Sequence, residues 1–182
     1  RQAVEFLIAA SKHRRHCEID FFGGEPLLNW EVVKETVAYA REREKETGKE
    51  FRFTITTNGI GLTREIMDFI NDNMYNVVLS IDGRKEVNDR MRRTVSGKGS
   101  TYDLIVPKYQ EMRRLRGDKS YYVRGTFTAY NLDFAADVAH LNDLGFDQIS
   151  VEPVVTQAGE PYALSEEHLS KILAEYEQLA QL

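Results

Sequence analysis

Cys17-Glu18-Ile19-Asp20-Phe21-Phe22-Gly23-Gly24-Glu25-Pro26 sets the reading of the whole chain. Six residues suited to a strand run into two glycines, which permit a tight turn or let the backbone come close to a ligand. A helix follows. Asn29 is placed to cap it, Val33, Val37 and Ala40 form its buried stripe, Arg41 to Glu46 is a solvated charged end, and Gly48 closes it. The unit is strand, glycine turn, helix.

The unit recurs. Phe51, Phe53 and Ile55 alternate with Arg52, Thr54 and Thr56, the period of a strand, until Asn58-Gly59 breaks it. Thr63 then caps a helix carrying Ile66, Phe69, Ile70 and Met74. Val77-Val78-Leu79 is the apolar run of a strand buried on both faces, ended by Ser80-Ile81-Asp82-Gly83. Arg84 to Ser100, charged and dotted with Gly97 and Gly99, reads as a long loop. Tyr102 to Arg116 reads as a helix that Pro107 either kinks or starts. Tyr122 to Thr128 alternates again, with Arg124, Thr126 and Thr128 on one face and Val123, Gly125 and Phe127 on the other.

Phe134, Val138 and Leu141 mark the next helix, stopped at Gly145. Ile149 and Val151 mark a strand that Glu152-Pro153 ends. The last helix, 165–181, is capped by Ser165, with Glu166 and Glu167 at its positive end and Leu169, Ile172, Leu173 and Tyr176 as its apolar stripe. Upstream of the opening strand, Ala3-Val4, Leu7-Ile8 and Ser11 share a helical face over 2–13. Six helices thus alternate with five strands. The pattern implies a parallel sheet covered by helices in a single domain, 1–182, wound either as an open doubly wound sheet or as a closed or partial barrel.

Composition narrows the classes of function. Hydrophobic residues make up 42% of the 182, enough for a substantial core, and the net charge of −5 argues against a nucleic-acid backbone as partner. No run of about 18 apolar residues could span a membrane. No signal peptide is recognisable, and the single cysteine, Cys17, excludes an internal disulfide framework, so a soluble cytoplasmic protein is expected. The chain opens at Arg1 inside a helical pattern, which suggests a piece of something longer. Cys17 reads as a small core residue. His13, His16, His140 and His168 read as surface, without a pair at metal spacing. Arg90, Arg92 and Arg93, with Arg113, Arg114 and Arg116, could form a basic strip for an acidic leader peptide, although a solvated face is the commoner outcome.

In either winding the polar punctuation follows the strands, and the loops at strand carboxyl ends are where such folds bind ligands. One rim would carry Gly23-Gly24-Glu25-Pro26, Thr56-Thr57-Asn58-Gly59, Ser80-Ile81-Asp82-Gly83, the Arg124 face and Glu152-Pro153. That set offers a carboxylate for an ammonium, an arginine for a carboxylate, and hydroxyls and amides for sugar oxygens. S-adenosylmethionine carries those groups. A charged hydrogen bond is worth about 1.5–3 kcal/mol, so loss of Glu25 should weaken binding well beyond tenfold.

Phe21-Phe22-Gly23-Gly24-Glu25-Pro26-Leu27, Thr57-Asn58-Gly59 and Leu79-Ser80-Ile81-Asp82-Gly83, in this order, resemble the signature of radical S-adenosylmethionine enzymes over roughly residues 1–155. The resemblance is nearest to the peptide-modifying branch with a C-terminal auxiliary-cluster domain, that of anaerobic sulfatase maturases and thioether-forming maturases of cysteine-rich ribosomal peptides. The wording from Ile19 to Trp30 favours the latter. It implies a partial (β/α)6 TIM-like barrel lacking its first strand. It also implies that Gly23, Gly24 and Glu25, followed by Pro26, hold the methionyl amino group, that Asn58, Ser80 and Asp82 face the ribose, that Arg92 or Arg124 meets the methionyl carboxylate, and that backbone near Glu152-Pro153 meets adenine.

The implied chemistry is a 5′-deoxyadenosyl radical, made with a 4Fe-4S cluster, that abstracts hydrogen from a peptide. The implied partners are a ribosomally made cysteine-rich peptide and a reductant protein. Many relatives have His-Asp where this chain has Asn88-Asp89, and proline where it has Arg84. The family's three-cysteine loop is missing, so the cluster would lie in a parent protein and this chain alone is expected to be inactive. Three rivals stand beside this reading. One is a formylglycine-forming sulfatase maturase, one is a non-catalytic nucleotide- or peptide-binding α/β domain, and the last is a phosphate-binding barrel, disfavoured because only Gly159 follows Val151.

Overall fold

The structure, a computed structural model, describes residues 1–181. Five strands, β1 (His16–Phe21), β2 (Glu50–Thr57), β3 (Asn76–Ser80), β4 (Tyr122–Phe127) and β5 (Ile149–Pro153), follow chain order through one sheet. β1 and β2 run parallel with His16 opposite Glu50, and β4 and β5 run parallel with Val123 opposite Ile149. A doubly wound sheet reverses its strand order at a switch point. This one does not, so the winding is that of a barrel, and the parallel α/β partial-barrel class expected from the sequence stands.

The chain divides into two compact units, Arg1–Val78 with Leu115–Tyr121, and Leu79–Arg114 with Tyr122 onward. The first contains α1 (Gln2–Ser11), α2 (Trp30–Thr47) and α3 (Arg64–Asn73). β2 alternates strictly, burying Phe51, Phe53, Ile55 and Thr57, and Val33, Val37, Ala40, Met67 and Ile70 are buried in the same unit. Cys17 is 3% exposed in this core. Gly48 ends α2 at φ 68°, and the Thr63 hydroxyl accepts from the Ile66 amide at 3.3 Å to cap α3. Asn29, however, does not cap α2 with its side chain. A 3-10 turn at Pro26–Asn29 precedes the helix, and Glu25 caps that turn instead.

The carboxyl end of α3 is tied down by cations. Arg41 Nη2 donates to the Asn73 carbonyl, Lys119 Nζ to that of Asn71 at 2.6 Å, and Arg116 Nη1 to that of Met74 at 3.1 Å. The Arg116 side chain is fully buried, and its remaining bonds go to the carbonyls of Tyr75 and Ser120. Orphan carbonyls and the negative helix end account for this placement.

The second unit contains α4 (Lys85–Met91), α6 (Phe134–Asp143), α7 (Leu169–Leu179) and all but the end of α5 (Thr101–Arg116). Its core is Leu79, Ile81, Ile105, Tyr109, Met112, Val123, Phe127, Phe134, Leu141 and Phe146. α4 occupies the segment expected to be a loop. It is held by Asn88, which is fully buried and bonds both the Asp82 amide and the Thr101 hydroxyl. α5 runs through Pro107, which is exposed, so the Asp103 carbonyl it cannot serve can bond water instead. β5 ends at Pro153, as its sequence implied, and β5 is an edge strand. At the last helix, Ser165 and His168 form a capping box ahead of α7. The stripe there is not fully buried: Leu169 and Leu173 are 53% and 63% exposed. Among the described residues no helix is long and apolar enough to cross a membrane.

Candidate functional site

The candidate residues fall into two groups, one in each unit. In the first, Gly23 and Gly24 sit at φ 89° and 57°, with open space where a Cβ would point. The backbone conformation, not crowding, calls for glycine there, and it leaves the peptide groups exposed. Glu25 ties the loops after β1 and β2 together. Its Oε1 accepts from the Leu27 amide at 3.1 Å and the Thr57 hydroxyl at 2.8 Å, and its Oε2 from the Asn58 amide at 2.7 Å. A carboxylate offers about four acceptor positions, so one place remains, on Oε2. Pro26 occupies the first position of the 3-10 turn, where its missing N–H costs nothing. Asn58 Oδ1 accepts from the Ile60 amide at 3.0 Å, which leaves its side-chain NH2 exposed as a donor.

In the second unit, Asp82 is 5% exposed. It receives Arg92 bidentately, Nε at 2.9 Å and Nη2 at 2.8 Å, and the Thr126 amide at 3.0 Å. Its carboxylate is spent largely on holding Arg92 and β4. Ser80 ends β3, and its carbonyl accepts from the Tyr109 hydroxyl at 3.0 Å. Arg124 pairs with Glu152, whose side chain is 45% exposed, and Pro153 lies opposite Phe127 in the β4–β5 register. Both arginine candidates therefore already hold a carboxylate. Burial pushes the Asp89 carboxyl up, but hydrogen bonds from Ser100, the Tyr102 amide, Thr101 and Asn88 outweigh it and hold the group below the usual carboxylate range.

Sequence reasoning missed the residues that fix these loops in place. A Cβ on Gly83, at φ 125°, would lie 2.3 Å from Asp137 Cβ. A Cβ on Gly125 would lie 2.8 Å from the Ile81 carbonyl oxygen. Asp137, 1% exposed, accepts from the Arg84 amide at 3.0 Å, Arg84 Nε at 2.8 Å and Asn131 Nδ2 at 3.1 Å. Asn131 in turn accepts from the Thr128 amide and hydroxyl. The short Thr128–Asn131 spacing is the local signal that could have shown this turn. The six arginines that could have formed a strip are split: Arg116 is buried, Arg92 holds Asp82 and Arg113 pairs with Asp147.

Cys17 is buried and is the sole cysteine, and among the described residues no group of three or more His, Cys, Asp or Glu could hold a metal. The model of the Radical SAM superfamily matches residues 1–105. An uncharacterized protein of Methanocaldococcus jannaschii is 30% identical over 109 residues, 60% of this chain and 36% of that protein. A cysteine-type anaerobic sulfatase-maturating enzyme of Clostridium novyi is 29% identical over 109 residues, 59% of this chain and 29% of that one. The radical SAM cyclopropyl synthase TigE of Paramaledivibacter caminithermalis is 25% identical over 138 residues, 72% and 27% of the two chains. The chain thus spans about a third of the length of these curated relatives. The solved structure of native anSMEcpe with bound AdoMet and a Kp18Cys peptide matches 96% of this chain and 50% of its own at a TM-score of 0.82 and 17% identity, a likeness of fold.

Proposed function

Because the chain belongs to the radical SAM superfamily, we propose that it is the nucleotide-holding part of a peptide-modifying radical maturase. The observation that carries this is Glu25. Its carboxylate joins the loops after β1 and β2 and keeps one acceptor position for a ligand N–H, beside the exposed backbone of Gly23 and Gly24. That set fits the methionyl ammonium of S-adenosylmethionine, and the Asn58 side-chain amide suits a ribose oxygen. In the second unit Ser80 and Asp82 are assigned to the ribose, and the backbone at Glu152-Pro153 to adenine.

Arg124 is the better arginine for the methionyl carboxylate. Drawing it from half-exposed Glu152 costs less than drawing Arg92 from Asp82, which would leave a buried carboxylate unpaired. In this family the bound nucleotide, with a 4Fe-4S cluster, supplies a 5′-deoxyadenosyl radical for hydrogen abstraction. The cluster does not fit this chain's own residues, since its thiolate ligands would have to come from elsewhere in a parent protein. What the chain does is bind the nucleotide and orient it.

The reaction we favour is thioether cross-linking in a cysteine-rich ribosomal peptide, with a reductant protein as electron source. Formylglycine formation is the second reading, favoured by the Clostridium novyi relative. The test is anaerobic reconstitution of the full-length gene product with iron, sulfide, S-adenosylmethionine and a reductant, quantifying 5′-deoxyadenosine. Product formed by the wild type and lost in Glu25→Gln is the expected result. Absence of product from a cluster-loaded protein would leave a non-catalytic nucleotide- or peptide-binding domain. A cross-linked peptide loses two hydrogens and an alkylatable thiol, whereas formylglycine captures a hydrazide.

A further inference from the structure

Two adjoining hollows of about 290 and 240 Å³ run along α4 in the second unit, sharing Arg90, Met91 and Tyr130. Arg93 and Tyr162 complete the first, and Val87 lines the second beside Glu86. The Arg90 Cζ lies over the Tyr130 ring, 3.3 Å from its centroid. Stacking covers a face of the guanidinium and leaves its edge donors pointing outward, the fork that grips a carboxylate with two parallel bonds. Among the described residues neither Arg90 nor Arg93 pairs with a carboxylate, in a chain whose net charge is −5. Arg93 Nε donates one bond to the Arg90 carbonyl, and both arginines line the first hollow.

We propose that this groove docks an acidic segment of the polypeptide substrate, with a carboxylate on Arg90 and Arg93 and a neighbouring apolar side chain against Met91 and Val87. The inference rests on the peptide reading above and gives that substrate a chemistry. Its location is consistent with a role near the nucleotide. α4 follows the carboxyl end of β3, Tyr130 follows that of β4, and Arg92, one of the two candidate arginines, stands between Met91 and Arg93 in the chain. Glu86 gives direction to the groove, since it repels a carboxylate from the Val87 end and leaves the arginine end as the acidic subsite.

The test uses the 182-residue chain without nucleotide or iron, titrated with the capped tetrapeptide Leu-Glu-Leu-Glu while amide and side-chain NMR shifts are followed. Shifts should centre on Arg90, Arg93 and Tyr130. Arg93→Gln and Arg90→Gln should each weaken binding about tenfold. Arg90→Lys should weaken it nearly as much as Arg90→Gln, because a lysine cannot reproduce the stacked fork. Circular dichroism identical to wild type shows that these exposed substitutions leave the fold intact. Equal binding of Leu-Gln-Leu-Gln, tighter binding of a thymidine oligonucleotide, or shifts centred elsewhere would overturn the proposal. A full-length protein that makes 5′-deoxyadenosine while the probe fails to bind rejects the groove alone. Probe binding without product rejects the radical chemistry alone.

Discussion

Two carboxylates, Glu25 in the first unit and Asp82 in the second, each fasten the loop that follows a strand, and they do so in opposite ways. Glu25 takes three neutral donors, has no cation partner in its group and keeps a place open. Asp82 is almost fully buried and is neutralised by a bidentate arginine. The first arrangement holds a loop while leaving charge for a ligand. The second cancels its charge internally and serves rigidity. A carboxylate at the end of a strand is therefore not a binding group by position alone; each of these two accepts three bonds, and burial together with a cation partner decides.

The sharpest way to break this contrast is Asp82→Ala, which strands Arg92 and removes the bond to the Thr126 amide. It should cost about 3–5 kcal/mol in chemical denaturation, and a cost near zero would show that Arg92 is readily released. Gly83→Ala comes next at about 3 kcal/mol, because the new methyl meets Asp137 from a backbone at φ 125°. Glu25→Gln should reverse the balance. Stability should fall by about 1–2 kcal/mol, while S-adenosylmethionine affinity, read by calorimetric titration, should fall more than tenfold. Equal losses in both measurements would make Glu25 a second Asp82.

The smallest effect concerns pH. Asp89 has its folded-state pKa depressed, so the folded protein binds fewer protons than the unfolded chain as acid is added. Its contribution is complete above the unfolded value of about 3.9 and fades as pH falls toward the lower folded value. Asp89→Asn should flatten that part of the stability profile in thermal melts, with its cost full at neutral pH and shrinking as pH falls through the acid limb.

Much of this was legible in the residues. Strand alternation at Phe51–Ile55 and Val123–Phe127, the stop at Gly48 and the cap at Thr63 are local effects, and the structure follows them. α4 was not, because seven residues with one buried side chain, Asn88, carry too little periodicity, and a polar anchor leaves no hydrophobic trace. The separate fates of the six arginines were hidden for a related reason. Sequence spacing fixes which residues are neighbours on a helix, but the partners that bury Arg116 or pair Arg92 come from distant segments. The arginine preference likewise needed the exposure of Glu152, which no pattern contains.

Arg116 has one further consequence, for ionic strength. Its acceptors are the carbonyl oxygens of Met74, Tyr75 and Ser120, dipoles that carry no net charge for counterions to shield, and the Arg116 side chain itself is buried. Exposed pairs such as Lys85–Asp103 and Arg64–Asp68 fade in molar salt. The tie that Arg116 makes to the carboxyl end of α3 should persist there unchanged.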